Sequence, residues 1–80
     1  MELYSKSRID GAFKGWTGRG AYKLVNGQIW VQTKYKYKHH HSFHPLAQIW
    51  KDESRFFLDV EGIKDKIEVR LGTNADINRG

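Results

Sequence analysis

Three lysines and a tryptophan on one run are the residues of this chain best suited to chemistry. Lys34, Lys36 and Lys38 alternate with Tyr35 and Tyr37, and Trp30 shares the lysines' parity. On an extended strand, alternate side chains project from one face about 6.5–7 Å apart. That is close to the distance between successive phosphates of a nucleic-acid strand, and lysines so placed neutralise phosphates and release counterions. An exposed indole beside them offers a surface on which bases stack without regard to sequence. Trp30, Lys34, Lys36 and Lys38 are therefore a candidate set for single-stranded nucleic acid. Alternating lysines also have a plainer use, which is to keep an exposed strand edge from pairing with other chains.

Four histidines follow at once: His39, His40, His41 and His44. Imidazoles ligate zinc, nickel and copper, and His39 with His41, or His41 with His44, are spaced to approach one another. A zinc site wants three or four fixed ligands with outer partners, and residues 26–51 contain no Asp or Glu to supply them. His39, His41 and His44 are thus a secondary metal candidate, and no cofactor is expected. The third set is aromatic. Trp16, Trp30, Trp50, Phe57 and four tyrosines exceed what a core of this size easily holds. Parity turns Trp30, Trp50 and Phe57 outward, which makes an apolar patch that needs a cover. Tryptophan and tyrosine are the usual anchors of interfaces. A homo-oligomer is the simplest cover, and a protein partner is the other.

An enzyme has the least support. The chain carries no nucleophile elbow, phosphate loop or zinc-protease helix, and no cysteine. The glycine-rich stretch Gly15-Trp16-Thr17-Gly18-Arg19-Gly20 joins two strands and opens no helix, so it does not cradle phosphate as a helix start would.

The elements that must position these sets are strands. Asn26-Gly27 between apolar, β-branched and aromatic runs is a strong hairpin signal, of the type I′ kind. It joins a strand over Ala21 to Val25 to a long one over Gln28 to Lys38. On the long strand Ile29, Val31, Thr33, Tyr35 and Tyr37 form the core face, and Trp30, Gln32 and the lysines form the other. Upstream, Arg8 to Trp16 is extended, with Ile9 and Phe13 on one face and Trp16 on the other. Gly11 and Gly15 mark bends or close approach by another backbone. His39 to Pro45 reads as a loop, since Pro45 cannot donate in a ladder. Leu46 to Lys51 places Ala47 and Ile49 inward. Arg55 to Val60 places Phe56, Leu58 and Val60 inward and Phe57 and Asp59 outward. Lys66 to Leu71 places Ile67, Val69 and Leu71 inward and Lys66, Glu68 and Arg70 outward.

These strands carry an uneven charge. The net is +5 over 80 residues, distributed as +3 in residues 1–25, +4 in 26–51 and −2 in 52–80. The basic middle third suits phosphate or acidic protein surfaces. No run approaches the length of a membrane span and no leader is evident, so a cytoplasmic protein without membrane contact is expected.

Asp10-Gly-Ala-Phe-Lys-Gly-Trp16, then Leu24-Val-Asn-Gly-Gln-Ile-Trp30 and Val60-Glu-Gly-Ile63, resemble the pattern of a group of short bacterial proteins and appended C-terminal modules. That group is built on Asp-Gly-x-Phe-x-Gly-Trp and Leu-x-Asn-Gly-Gln-x-Trp. The resemblance implies a β-barrel and brings no catalytic residue. Where that group turns acidic after its Gly-Trp, this chain has Gly18-Arg19-Gly20.

The sequence therefore points to an all-β domain, a small SH3-like barrel or strongly bent antiparallel meander of five to six strands. An OB-fold comes second. The folded domain covers residues 8–71, with a flexible N-terminus over 1–7 and a flexible tail over 72–80. The leading functional expectation is an interaction module that self-associates through Trp16, Trp30, Trp50 and Phe57. The rival is a weak, sequence-tolerant nucleic-acid binder using Trp30 and the three lysines.

Overall fold

The computed structural model describes residues 1–77, which form an all-β fold. Eight strands run in the order β1 (Glu2–Arg8), β2 (Ala12–Gly18), β3 (Ala21–Lys23), β4 (Ile29–Gln32), β5 (Lys36–Phe43), β6 (Leu46–Asp52), β7 (Arg55–Val60) and β8 (Ile67–Leu71). One turn of helix, α1 (Asn74–Ile77), follows. No helix among the described residues is long and apolar enough to cross a membrane.

Six strands make one antiparallel sheet in the order β1-β6-β7-β8-β4-β3. Its two outer strands meet. Ile9 bridges Leu24, the Asp10 N–H donates to the Lys23 carbonyl at 2.9 Å, and the Val25 N–H donates to the Arg8 carbonyl at 2.9 Å. The sheet thereby curls into a barrel whose seam closes at one point. Closure satisfies backbone groups that an open edge would leave to water or to other chains.

β2 and β5 pair only with each other. They continue the β1–β6 pair across a sharp fold, because the Ile9 N–H donates to the Pro45 carbonyl and the His44 N–H to the Gly11 carbonyl, both at 2.9 Å. Gly11 (φ 89°) and His44 (φ 59°) make that fold, and Pro45 follows at once. The β2–β5 ribbon is thereby bent back over the barrel. It lays Phe13 and Trp16 against Tyr22, with ring centroids 5.4–5.9 Å apart.

Several expectations are corrected here. Residues 2–8 are a strand, not a loose terminus: β1 pairs with β6 along its length. Its polar sequence hid it, since Ser5 and Ser7 sit opposite the fully buried Ile49 and Ala47. His39–Phe43 is strand rather than loop, because the bend falls at His44 and Pro45. Phe13 and Trp16 do not face opposite ways: Gly15, at φ 95°, breaks the alternation so that both are buried. A Cβ at Gly15 would overlap the Lys38 carbonyl oxygen. The Asn26-Gly27 turn is not type I′ either. The Gly27 N–H donates to the Leu24 carbonyl and only Gly27 has positive φ, the three-residue loop of a type I turn closed by a left-handed glycine.

The long strand Gln28 to Lys38 is broken at residues 33–35, and Gln32 holds the break. Its buried Oε1 accepts from the Tyr22 hydroxyl and from the Gly20 N–H at 3.2 Å. Its Nε2 donates to the carbonyls of Lys34 (3.4 Å) and Lys36 (3.3 Å). One amide thus pins the backbone that leaves β4 and starts β5. Burial pushes the Tyr22 phenol upward, against the opposing effect of its hydrogen bonds from Thr17.

The face assignment on β4 is reversed. Trp30 belongs to the core with Val69, while Ile29 and Val31 lie outside that cluster yet are buried as well. The segment after β8 covers them: the Gly72 N–H donates to the Ile29 carbonyl, and a Cβ on Gly72 would stand 2.6 Å from a Val31 methyl. A strand covered on both faces offers no alternation to read. Residues 72–77 are therefore part of the packed fold, and the rest of the expected tail, 78–80, lies outside the described residues.

Candidate functional site

The Gln32 staple sets Lys34, Tyr35 and Lys36 beside the outer faces of β7 and β8. Register fixes those faces: Phe57 is opposite Glu68, while Phe56 and Leu58 pair inward with Val69 and Ile67. The result is a groove of about 310 Å³. Lys34, Lys36, Arg55 and Lys66 supply four cations to its walls, Tyr35 and Phe57 supply rings, and Glu68 is the one carboxylate.

Glu68 sits between two of those cations, 3.0 Å from Arg55 and 3.5 Å from Lys34. The Arg55 hydrogen bond holds its carboxyl below the ordinary range, and Glu68 in turn raises Arg55. Lys36 reaches Asp65 at 3.2 Å. These pairs are solvent-exposed, so they orient side chains more than they stabilise the fold. The Arg55 guanidinium lies 5.0 Å from the Phe57 ring centroid, presenting a cation and an aromatic face together.

A second groove of about 410 Å³ adjoins the first past Thr33 and Glu68, lined by Arg19, Val31, Gln32, Thr33 and Arg70. The Thr33 N–H and hydroxyl both donate to the Glu68 carbonyl, which joins the bend to β8 between the two grooves. Together the grooves carry six cations, against the carboxylates of Glu68, Asp65 and Asp76. An excess of three positive charges remains.

The residues expected from sequence divide clearly. Lys34 and Lys36 are in the groove. Lys38 stands on β5 opposite Trp16, away from it. Trp30 is 1 % exposed and its indole N–H donates to Gln28 Oε1 at 3.4 Å, so it is no stacking surface. Trp16 is 0 % exposed beneath the ribbon. Neither tryptophan belongs to a free surface patch, which corrects both expected sets. Trp50 and Phe57 do face outward: they are half-buried and direct cross-strand partners, with Leu3 opposite Trp50 on the next strand.

The histidines do not converge. His39 and His41 stand exposed with ring centroids 6.4 Å apart. His40 turns inward toward Phe13 and Gly62, and His44 stacks on Phe43. Among the described residues no group of three or more His, Cys, Asp or Glu is placed to hold a metal.

Arg55, Lys66, Tyr35, Arg19 and Arg70 were missed as site residues. The available signal was the outward parity of Lys66, Glu68 and Arg70, masked by the net negative charge of the last third of the chain. No family model matches the chain, and no curated protein or solved structure matches it.

Proposed function

We propose that this protein binds single-stranded nucleic acid, with little regard to sequence, along the groove between the 33–36 bend and the outer faces of β7 and β8. One observation carries the reading: cations from three separate stretches of chain, Lys34 and Lys36, Arg55, and Lys66, meet around the rings of Tyr35 and Phe57. Cations alone suit any polyanion; rings among them suit one that carries bases. Binding rather than catalysis is the role these side chains fit.

The test is anisotropy of a fluorescein-labelled oligothymidine against salt. With four cations against Glu68 and Asp65 in this groove, an excess of two, log K falls with log salt at a slope of about −1.4, a loss of roughly sevenfold between 50 and 200 mM. Phe57→Ala weakens the oligothymidine and leaves polyphosphate binding unchanged. Absence of binding at 50 mM salt, or equal loss of both ligands on Phe57→Ala, overturns the reading.

A second reading, self-association, draws on the outward row Leu3, Trp50 and Phe57. Light scattering separates the two. A multimer that Trp50→Ser dissociates, and that ignores oligonucleotide and salt, favours the row as an interface.

A further inference from the structure

In the second groove, as in the first, an anion from this same chain sits on one of the cations, but here it comes from the segment after β8. Arg70 projects from the outer face of β8 and holds Asp76 at 3.3 Å. The other Asp76 oxygen accepts from the Thr73 N–H at 2.8 Å, so the turn after β8 is folded around that carboxylate. Arg19 enters from the β2–β3 turn, which is fixed from below by the Gln32 N–H on the Gly20 carbonyl. Arg19 has no ion pair among the described residues. Two guanidinium groups from distant parts of the chain therefore border one recess of about 410 Å³, and only one of them carries a carboxylate.

We infer that this recess is a phosphate subsite extending the proposed track, and that Asp76 is its displaceable internal competitor. The inference rests on the nucleic-acid reading of the neighbouring groove. Spacing supports it. Lys66, immediately before β8, and Arg70 on its outer face are four residues apart, about 13 Å along an extended chain, or two phosphate steps. A strand laid along β8 thus sets one phosphate near Lys66 and another near Arg70, with Glu68 between them. Arginine recognises phosphate through paired, charge-assisted hydrogen bonds. The Arg70 side chain stays 53 % exposed in its pair with Asp76, so its guanidinium is open to a phosphate. A phosphate bridging Arg19 and Arg70 takes the place of the Asp76 carboxylate on Arg70, while Thr73 keeps its hydrogen bond to the other Asp76 oxygen.

The experiment compares Arg19→Gln, Asp76→Asn and Lys34→Gln for binding of the labelled oligothymidine across the same salt range. Arg19→Gln should weaken binding about fivefold near 0.1 M salt and flatten the log–log slope by about 0.7, one phosphate contact. Asp76→Asn should tighten binding by a similar factor and steepen the slope. Arg19 is on an exposed turn that Gln32 holds through the Gly20 N–H and carbonyl, not through the Arg19 side chain, so Arg19→Gln keeps the test valid if Asp76→Asn loosens the last turn. If Lys34→Gln weakens binding while Arg19→Gln and Asp76→Asn match the wild type, the subsite is refuted and the groove reading stands. If Lys34→Gln is silent as well, both are refuted.

Discussion

The groove and the ribbon draw on the same run of sequence and end as opposites. Lys34, Tyr35 and Lys36 turn into a recess shared with Arg55, Phe57 and Lys66. A few residues on, Tyr37, Lys38, His39, His41 and Phe43 stand exposed on β5. The ribbon is as rich in cations and rings as the groove, yet its outer side chains stand exposed instead of lining a shared recess among the described residues. A row of like residues on one strand is a pattern; a site needs groups from several elements converging on one volume. The difference comes from Gln32, which ends β4 and sends the chain across to the other pair of strands.

The largest expected effect breaks the ribbon. Gly15→Ala forces a side chain onto the Lys38 carbonyl at positive φ. Lifting β5 from β2 would uncover Phe13 and Trp16. A loss of at least about 3 kcal/mol is expected, read as a lower urea midpoint. An unchanged midpoint would mean that the ribbon is not seated as described. Gln32→Leu comes next. It leaves the Tyr22 hydroxyl and the Gly20 N–H without their shared acceptor and costs about 2 kcal/mol. Unlike Gly15→Ala in the middle of the ribbon, it also frees the bend, so oligonucleotide affinity should fall by more than the same lost stability, introduced elsewhere, would cause. Equal losses would remove Gln32 from the positioning of the groove.

The C-terminal half of this architecture was legible and the N-terminal half was not. In β6 and β7 each strand has one covered face, so alternation reads directly: Ala47, Ile49, Leu58 and Val60 are all fully buried. In β8 it holds for Ile67 and Val69 and fails at Leu71, which is 58 % exposed at the strand's end. Alternation misleads where a glycine resets it, as at Gly15, and where both faces are covered, as at Ile29 to Gln32. Of the proposed groove, Lys34, Lys36 and Phe57 were singled out in advance. Arg55, Lys66, Arg19 and Arg70 were not, because their meeting depends on strand order, which a local pattern does not contain.

Charge removal sharpens the comparison. Lys34→Gln with Lys66→Gln takes two contacts from the groove. It should weaken oligothymidine binding roughly twentyfold at 0.1 M salt and reduce the salt slope by about 1.4. Lys38→Gln removes the same charge from the ribbon and should leave both nearly unchanged. Anisotropy titrations at several salt concentrations measure all three. An effect of Lys38→Gln equal to that of Lys34→Gln alone would return the site to the alternating strand face.

The smallest effect concerns the carboxylate inside the groove. Glu68 has its carboxyl lowered by Arg55, so its ion pairs contribute to stability at neutral pH and above the ordinary carboxylate range. That contribution is lost only as pH falls through the lowered value. The same carboxylate repels a phosphate. Glu68→Gln should therefore lower stability slightly at pH 7, with no difference from the wild type in strong acid, where both are uncharged. It should also tighten oligothymidine binding, by at most about fivefold, because Lys34 and Arg55 are released together. Stability and affinity moving in opposite directions would identify Glu68 as an orienting group that holds the groove's cations in place between ligands. Weaker binding on Glu68→Gln would mean that the ordered pairs matter more than the charge they cancel.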